Sequence, residues 1–294
     1  KVKGRDEEFR LPLTIEATTA LPGGSVQVSG SMSSQTVSAL LNAAPLAKQD
    51  TVIIVKDKLV SKPYVDITRD VLKWAGLRVR QQGYKRFFVK AGQELKPKND
   101  FTVHGDYSSA AFLIVASCLV ESDVTISDLI LDKQGDRKII AILNRMGARV
   151  SHANGWVRIK GPFGLKGATI DCSDTPDLVP ILSVAACFAR GRTRIVNIRH
   201  LIHKESNRIQ APAEQLRKLG AKIKAGSGDL DIEHSFLSPG CVSGCRDHRI
   251  AMALAVAGLK IGGLVVEGAE CITKSYPGFV SDMKSLGANM SISR

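Results

Sequence analysis

The chain has 294 residues, with 41 lysines and arginines against 28 aspartates and glutamates, a formal net charge of +13, 44% hydrophobic residues and 5% aromatics. That length is enough for two domains with real cores, and the absence of any run of eighteen apolar residues argues against a membrane-spanning helix. The basic residues are scattered and aromatics are few, which weakens a nucleic-acid reading and leaves anionic surfaces or phosphorylated small molecules as partners.

In chain order, the opening KVKGRDEEF (residues 1–9) reads as a helix-to-strand exit, the end of a unit whose body would lie upstream; the chain is expected to be a fragment or a processed product. One unit then recurs four times. It begins with a short strand and turn: VQVSGSMSSQ from Val26, FTVHGDYSSA from Phe101, ATIDCSDTPD from Ala168 and CVSGCRDHRI from Cys241. A helix of small and apolar residues follows: TVSALLNAAPLA, AAFLIVASCLV, LVPILSVAACFA and IAMALAVAGLK. Next come the β-branched strands TVIIV, DVTIS, TRIVNI and GLVVEG.

A polar loop comes after each of these strands: Ser61-Lys62-Pro63-Tyr64, Lys133-Gln134-Gly135-Asp136, Lys204-Glu205-Ser206-Asn207-Arg208 and Lys274-Ser275-Tyr276-Pro277. Each is read as holding a lysine at the start of a second, amphipathic helix, whose apolar positions keep helical spacing, as in Ile139, Ile142, Leu143 and Met146 or Phe279, Met283 and Leu286. Gly76, Gly147, Gly220 and Gly287 close these helices as C-terminal caps. An alternating strand such as Leu77-Arg78-Val79-Arg80 ends the unit, and a further strand, Arg86–Lys90 or Gly155–Ile159, closes some copies. A period of about 70 residues marks a repeat architecture of β-α-β-α-β units. The polar, proline-containing linker at residues 91–101 sets the boundary between two domains. Residues 1–101 hold one full repeat and the tail of another, and residues 102–294 hold three repeats.

Six cysteines, Cys118, Cys172, Cys187, Cys241, Cys245 and Cys271, read as reduced structural thiols; Cys118 and Cys187 lie in apolar helices. The Cys241-x-x-x-Cys245 pair followed by His248 has the wrong spacing for the common zinc modules, so no metal is expected, and a reducing cytoplasm fits best.

Ser34, Ser109, Asp177 and His248 fall at matching starts of the first helices. Ser and Asp there are ordinary helix caps, and Ser109 is read as one, whereas Arg246-Asp247-His248-Arg249 is too charged for routine capping. Several helix N-termini converging on one cleft would form an anion site. Ser31-Met32-Ser33-Ser34-Gln35 puts hydroxyls at such a start. In Lys204–Arg208 the two cations suit phosphate or carboxylate and Glu205 suits proton transfer, although the stretch alone reads equally as a solvated, ion-paired helix end. In Asp174-Thr175-Pro176-Asp177, Asp174 is a turn residue and Asp177 the better functional candidate.

GSMSSQTVSALLNAAPLA, SKPYVDIT, GDYSSAAF, the Asp-x-Pro-Asp-Leu segment, HKESNR, DHRIAMALAVAG and TKSYPGF, in that order, resemble the 5-enolpyruvylshikimate-3-phosphate synthases, especially the archaeal type, over essentially all 294 residues. The resemblance implies an α/β fold of two domains built from repeated β-α-β-α-β units, an inside-out α/β barrel with helix N-termini facing an interdomain cleft. It implies transfer of the enolpyruvyl group of phosphoenolpyruvate to the 5-hydroxyl of shikimate 3-phosphate by addition and elimination, a step of the shikimate pathway toward chorismate and aromatic amino acids, by a cytoplasmic monomer with no cofactor or metal. On the matching positions, Ser33, Ser34, Gln35, Ser61 and Tyr64 would bind shikimate 3-phosphate. Asp177 would take the hydroxyl proton, Lys204 would contact the same hydroxyl, and Glu205 would exchange a proton with the methylene carbon. Gln35, Arg208, Arg249 and Lys274 would hold phosphoenolpyruvate.

Three departures stand out. His200 replaces an asparagine that touches the shikimate ring in some members, Asn207 replaces the aspartate of the usual K-E-S-D-R form, and the early substrate-binding motifs of the family would lie upstream of Lys1. The alternatives are the related UDP-N-acetylglucosamine enolpyruvyl transferase and a non-catalytic anion-binding remnant.

Overall fold

The computed structural model describes residues 2–4, 12–16, 20–98 and 100–293. Lys1 and residues 5–9 of the opening stretch lie outside the described residues, and with them most of the expected helix-to-strand exit. The chain forms two compact α/β units, Lys1–Leu59 with Tyr64–Asp100 and Val60–Pro63 with Phe101–Arg294.

In the first unit a short antiparallel pair, β1 (Val2–Lys3) and β2 (Thr14–Ile15), precedes β3 (Gly24–Val28), α1 (Gln35–Ala43), β4 (Thr51–Val55), α2 (Lys62–Trp74), β5 (Val79–Gln82) and β6 (Arg86–Val89). The sheet order is β3-β4-β6-β5, with β3 parallel to β4 and the other pairs antiparallel. Alternation decides which faces are covered: Ile53 and Val55 of β4 and Phe87 and Val89 of β6 are buried with Val37, Leu41, Val65 and Leu72 from the helices.

The second unit repeats that plan. Its first copy holds α3 (Tyr107–Leu119), β7 (Ser122–Leu129), α4 (Lys138–Arg145), β8 (Ser151–Ala153) and β9 (Gly155–Gly161). The next holds β10 (Thr169–Asp171), α5 (Val179–Phe188), β11 (Arg192–Val196), α6 (Gln210–Lys218), β12 (Lys222–Ala225) and β13 (Asp229–Glu233). The last holds β14 (Gly240–Ser243), α7 (His248–Ile261), β15 (Leu264–Glu267) and α8 (Phe279–Ser285). The order β10-β11-β13-β12 reproduces that of the first unit, parallel and antiparallel pairs included.

Two copies differ from the sequence expectation. Residues 101–106 are not a strand: β7 bulges at Asp128, whose φ is +61°, and the ladder shrinks to one bond from Gly105 N–H to the Asp128 carbonyl. In the last copy β14 pairs with β15 alone, and residues 288–293 are not a strand. In the complete copies the third strand bonds only to the fourth, and among the described residues the last copy has no fourth strand to receive it.

Helices α3, α5 and α7 pack on one another and are buried along most of their length, so they are apolar on nearly every side. The second helices are amphipathic as read, with Ile139, Ile142, Leu143, Phe279 and Met283 buried; Leu286, expected on the same stripe, is 49% exposed. All four end alike. Gly76, Gly147, Gly220 and Gly287 take φ between +87° and +99°, their N–H groups bond three residues back, and the following N–H reaches five residues back, from Leu77 to Leu72, Ala148 to Leu143, Ala221 to Leu216 and Ala288 to Met283. This is the Schellman closure, which needs a left-handed residue at the glycine. Among the described residues no helix is long and apolar enough to cross a membrane. Cys118, Cys172 and Cys187 are buried, and burial pushes each thiol up to about 12.

Candidate active site

The helix starts carry the charged side chains, but at α3 the capping residue is not the one expected from sequence. Asp106 caps α3, accepting from the Ser108 and Ser109 N–H groups, and the Ser109 hydroxyl donates to it at 2.7 Å. Ser109 is therefore a cap's partner and not the cap. Asp247 caps α7, accepting from Arg249 N–H at 3.0 Å, and His248 follows as the first helical residue. The turn into Asp247 is strained, with φ +54° at Cys245 and +55° at Arg246. Asp177 sits in the 3-10 turn Pro176–Leu178 that leads into α5.

The loop lysines also sit differently. Lys204 and Lys274 end 3-10 turns (Arg199–His203 and Ala269–Lys274) ahead of α6 and α8; they are not in the helices' first turns. Lys204–Arg208 is thus a loop rather than a helix start. Asn207 has a definite task in it: its side-chain oxygen accepts from Ile209 and Gln210 N–H at 3.1 and 3.2 Å and closes the start of α6.

Arg208 is the hub of the site. It is 1% exposed, and its Nε and Nη2 grip Asp247, itself wholly buried, at 2.7 and 3.1 Å. Nη1 donates to Asp177 and Nη2 to Glu205, each at 2.7 Å. Arg249 Nη2 lies 3.1 Å from the other Asp177 oxygen, Lys274 Nζ lies 2.9 Å from the other Glu205 oxygen, and the Ser206 hydroxyl donates to Asp247 at 2.9 Å. Asp177, Glu205, Arg208, Arg249 and Lys274, singled out separately in the sequence, are joined in one network. Arg208, expected to face an anionic ligand, is committed to three carboxylates.

Charge and burial compete throughout the site. Burial pushes the Glu205 and Asp247 carboxyls up, but the Lys274 hydrogen bond and Arg208 hold Glu205 below the ordinary carboxylate range, and Arg208 does the same for Asp247. His200 is buried, its Nε2 without a hydrogen-bond partner among the described residues; burial and the nearby Lys204 charge push it down to about 4, and Asp174 and Asp177 oppose the shift. Burial and the Arg249 charge lower His248 as well. Both imidazoles are neutral at physiological pH.

Two carboxyl groups of the site escaped the sequence reading. Asp247 was visible only as part of a charged tetrapeptide. Asp136, in the polar loop of the second repeat, is 2% exposed and accepts a hydrogen bond from the Ser108 hydroxyl. Burial and the Asp177 charge raise it to about 7, with Ser108 and Arg249 pulling the other way. Its place in the repeat, equivalent to the loop that holds Glu205, was the available signal. In the first unit, Ser34 begins α1 with Gln35 after it, the Ser33 hydroxyl accepts from Gln35 N–H at 3.1 Å, and Tyr64 lies in the first turn of α2. Ser61, grouped with the second unit, is buried with φ +53°.

A family model described as EPSP synthase (3-phosphoshikimate 1-carboxyvinyltransferase) matches residues 1–283. The chain belongs to the EPSP synthase family. The 3-phosphoshikimate 1-carboxyvinyltransferase of Methanocaldococcus jannaschii is 42% identical over 273 residues, covering 92% of this chain and 63% of that protein. The one from Methanothrix thermoacetophila is 42% identical over 291 residues, covering 98% and 67%. The chain therefore spans about two thirds of the length of these EPSP synthase relatives. A solved EPSP synthase from Acinetobacter baumannii superposes on the whole chain and 69% of its own, with a TM-score of 0.81 at 27% identity. The enolpyruvyl transferase NikO from Streptomyces tendae shares the fold, with a TM-score of 0.74 at 19% identity over 94% of this chain and 66% of its own. The archaeal-type resemblance drawn from the ordered motifs holds.

Proposed function

We propose that this protein transfers the enolpyruvyl group of phosphoenolpyruvate to the 5-hydroxyl of shikimate 3-phosphate and releases phosphate. The observation that carries the reading is the single network through Arg208, which gathers carboxylates and cations from the segments before α5, α6 and α8 and from the cap and first turn of α7. Two substrates that bring many negative charges need such a density of fixed cations.

Asp177 takes the proton of the 5-hydroxyl as the hydroxyl oxygen bonds to C2 of phosphoenolpyruvate. Lys204 contacts the same hydroxyl. Glu205 delivers a proton to the methylene carbon, giving a tetrahedral intermediate. Glu205 then removes a proton from the new methyl group while the bond from C2 to the phosphate oxygen breaks and phosphate leaves. Lys274, Arg249 and Gln35 hold phosphoenolpyruvate. Arg208 joins them by exchanging the half-buried Glu205 carboxylate for the substrate's own, and with Lys274 making the same exchange Glu205 loses the two cations that keep it ionised, so it can carry a proton. Ser33, Ser34, Gln35, Ser61 and Tyr64 bind shikimate 3-phosphate, the serines chiefly at its phosphate. The reading includes the inside-out α/β arrangement of the repeats, with residues 1–101 in the shikimate 3-phosphate domain and 102–294 as the C-terminal domain of a cytoplasmic monomer.

Asp177→Ala and Glu205→Gln test these roles. Both variants should lose turnover and keep most of the affinity for shikimate 3-phosphate by calorimetry. Parallel loss of binding would remove the catalytic assignment, and unchanged turnover would refute it.

A further inference from the structure

Asp136 has no part in the reaction just described, yet it is sealed beside the residue that starts it. Its loop lies against the loop of Asp177: a Cβ built on Gly135 would stand 2.7 Å from the Asp174 carbonyl oxygen, so the two backbones touch where only glycine fits. The Ser108 hydroxyl, at the start of α3, donates to one Asp136 oxygen. The charged groups acting on Asp136 come from three elements: Asp106 at the cap of α3, Asp177 before α5 and Arg249 in the first turn of α7. The buried Cys172 thiol also senses it. Asp177, in turn, is gripped by the guanidiniums of Arg208 and Arg249. Two guanidiniums on one carboxylate make it a stable anion and a poor proton acceptor.

We propose that Asp136 is a positioning residue for Asp177, a second, water-excluded carboxyl whose ionisation offsets the two guanidiniums and makes Asp177 basic enough to take the substrate proton. The proposal rests on the reading above that Asp177 is the base. Two carboxyls that repel one another do not titrate independently, and the last proton leaves at a higher pH than the first. Burial and mutual repulsion move the upper step toward neutral pH, and Ser108 stabilises the ionised form. As pH rises through that step, Asp136 becomes charged and the proton affinity of Asp177 rises with it. The rate should rise in parallel, because a stronger base accelerates proton removal.

The test follows the carboxyl carbons of aspartate-labelled protein by NMR against pH, assigned with Asp136→Asn and Asp177→Asn, alongside the rate of phosphate release. In the unaltered chain the Asp177 resonance should sense a step near neutral pH, and the rate should rise through the same step. In Asp136→Asn both should vanish, with the rate at pH 8 down about tenfold, the equivalent of one unit of basicity. Ser108→Ala should move the step upward without abolishing it, and it serves if Asp136→Asn does not fold. An Asp177 resonance that keeps its neutral step in Asp136→Asn, or is unmoved in Ser108→Ala, overturns the proposal. A resonance that behaves as expected in a chain without turnover leaves the coupling standing and refutes the enzymatic reading instead.

Discussion

Arg208 and Asp247 form a two-point ion pair in which both side chains are essentially without solvent contact, 1% and 0% exposed, with Nε to Oδ2 at 2.7 Å and Nη2 to Oδ1 at 3.1 Å. The pair joins the loop before α6 to the cap of α7. Asp247→Asn keeps a competent helix cap but leaves the buried guanidinium short of one negative charge. A loss of about 3–5 kcal/mol is expected, read from urea unfolding. A loss under 1 kcal/mol would show that Asp177 and Glu205 alone satisfy Arg208.

Glu205→Gln should separate chemistry from stability. Glu205 is partly exposed and its ion pairs are partly screened, so the variant should melt within a few degrees of the parent. Turnover should fall on the order of 100-fold or more, because an amide cannot shuttle the proton. Equal losses of melting temperature and rate would assign Glu205 a structural role only.

Asp136 and Asp247 predict opposite pH dependences of stability. The Asp136 carboxyl is raised in the folded state to about 7, so its stabilising contribution is complete below the unfolded-state value and is lost as pH rises toward neutrality. Relative to the parent, Asp136→Asn should therefore gain stability between pH 4 and 7, by on the order of a few kcal/mol, and hold that gain above pH 7. Asp247 is depressed, so its contribution is present above the ordinary carboxylate range and disappears as pH falls below it. Chemical denaturation at pH 4.5, 6 and 8 measures the first effect, and a flat difference between Asp136→Asn and parent would contradict it.

Gly147→Ala should cost roughly 1–2 kcal/mol, since φ there is +99° and nothing crowds the site closer than the Gly164 carbonyl oxygen at 3.6 Å. The penalty is conformational rather than steric. Thermal melts of this variant beside Leu143→Ala, which removes a buried side chain, separate the two causes; no loss in Gly147→Ala would contradict the Schellman closure.

Much of this fold was legible because its signals are local. The closing glycines, the β-branched strands and the apolar first helices recur at a fixed period, and each is decided within a few residues. What failed depended on distant partners. The 101–106 segment has strand-like composition but meets a bulge at Asp128. Residues 288–293 alternate Met290 and Ile292 with polar residues but have no neighbouring strand among the described residues. In the site, Ser109 looked like a cap because serine caps helices well, yet Asp106, three residues earlier, holds the extended conformation and the hydrogen bonds. Arg208 looked like an anion ligand because its partners Asp177 and Asp247 lie 31 and 39 residues away in sequence. Asp136 was visible only as a member of the second repeat's polar loop; its burial and the Asp177 charge acting on it come from partners in other elements.

The most direct test of the whole account is release of phosphate from phosphoenolpyruvate by the purified chain, with shikimate 3-phosphate as acceptor and UDP-N-acetylglucosamine as control. Release that requires shikimate 3-phosphate, and is lost in Asp177→Ala, is the predicted result. Release with the sugar nucleotide alone, or with neither acceptor, would contradict it.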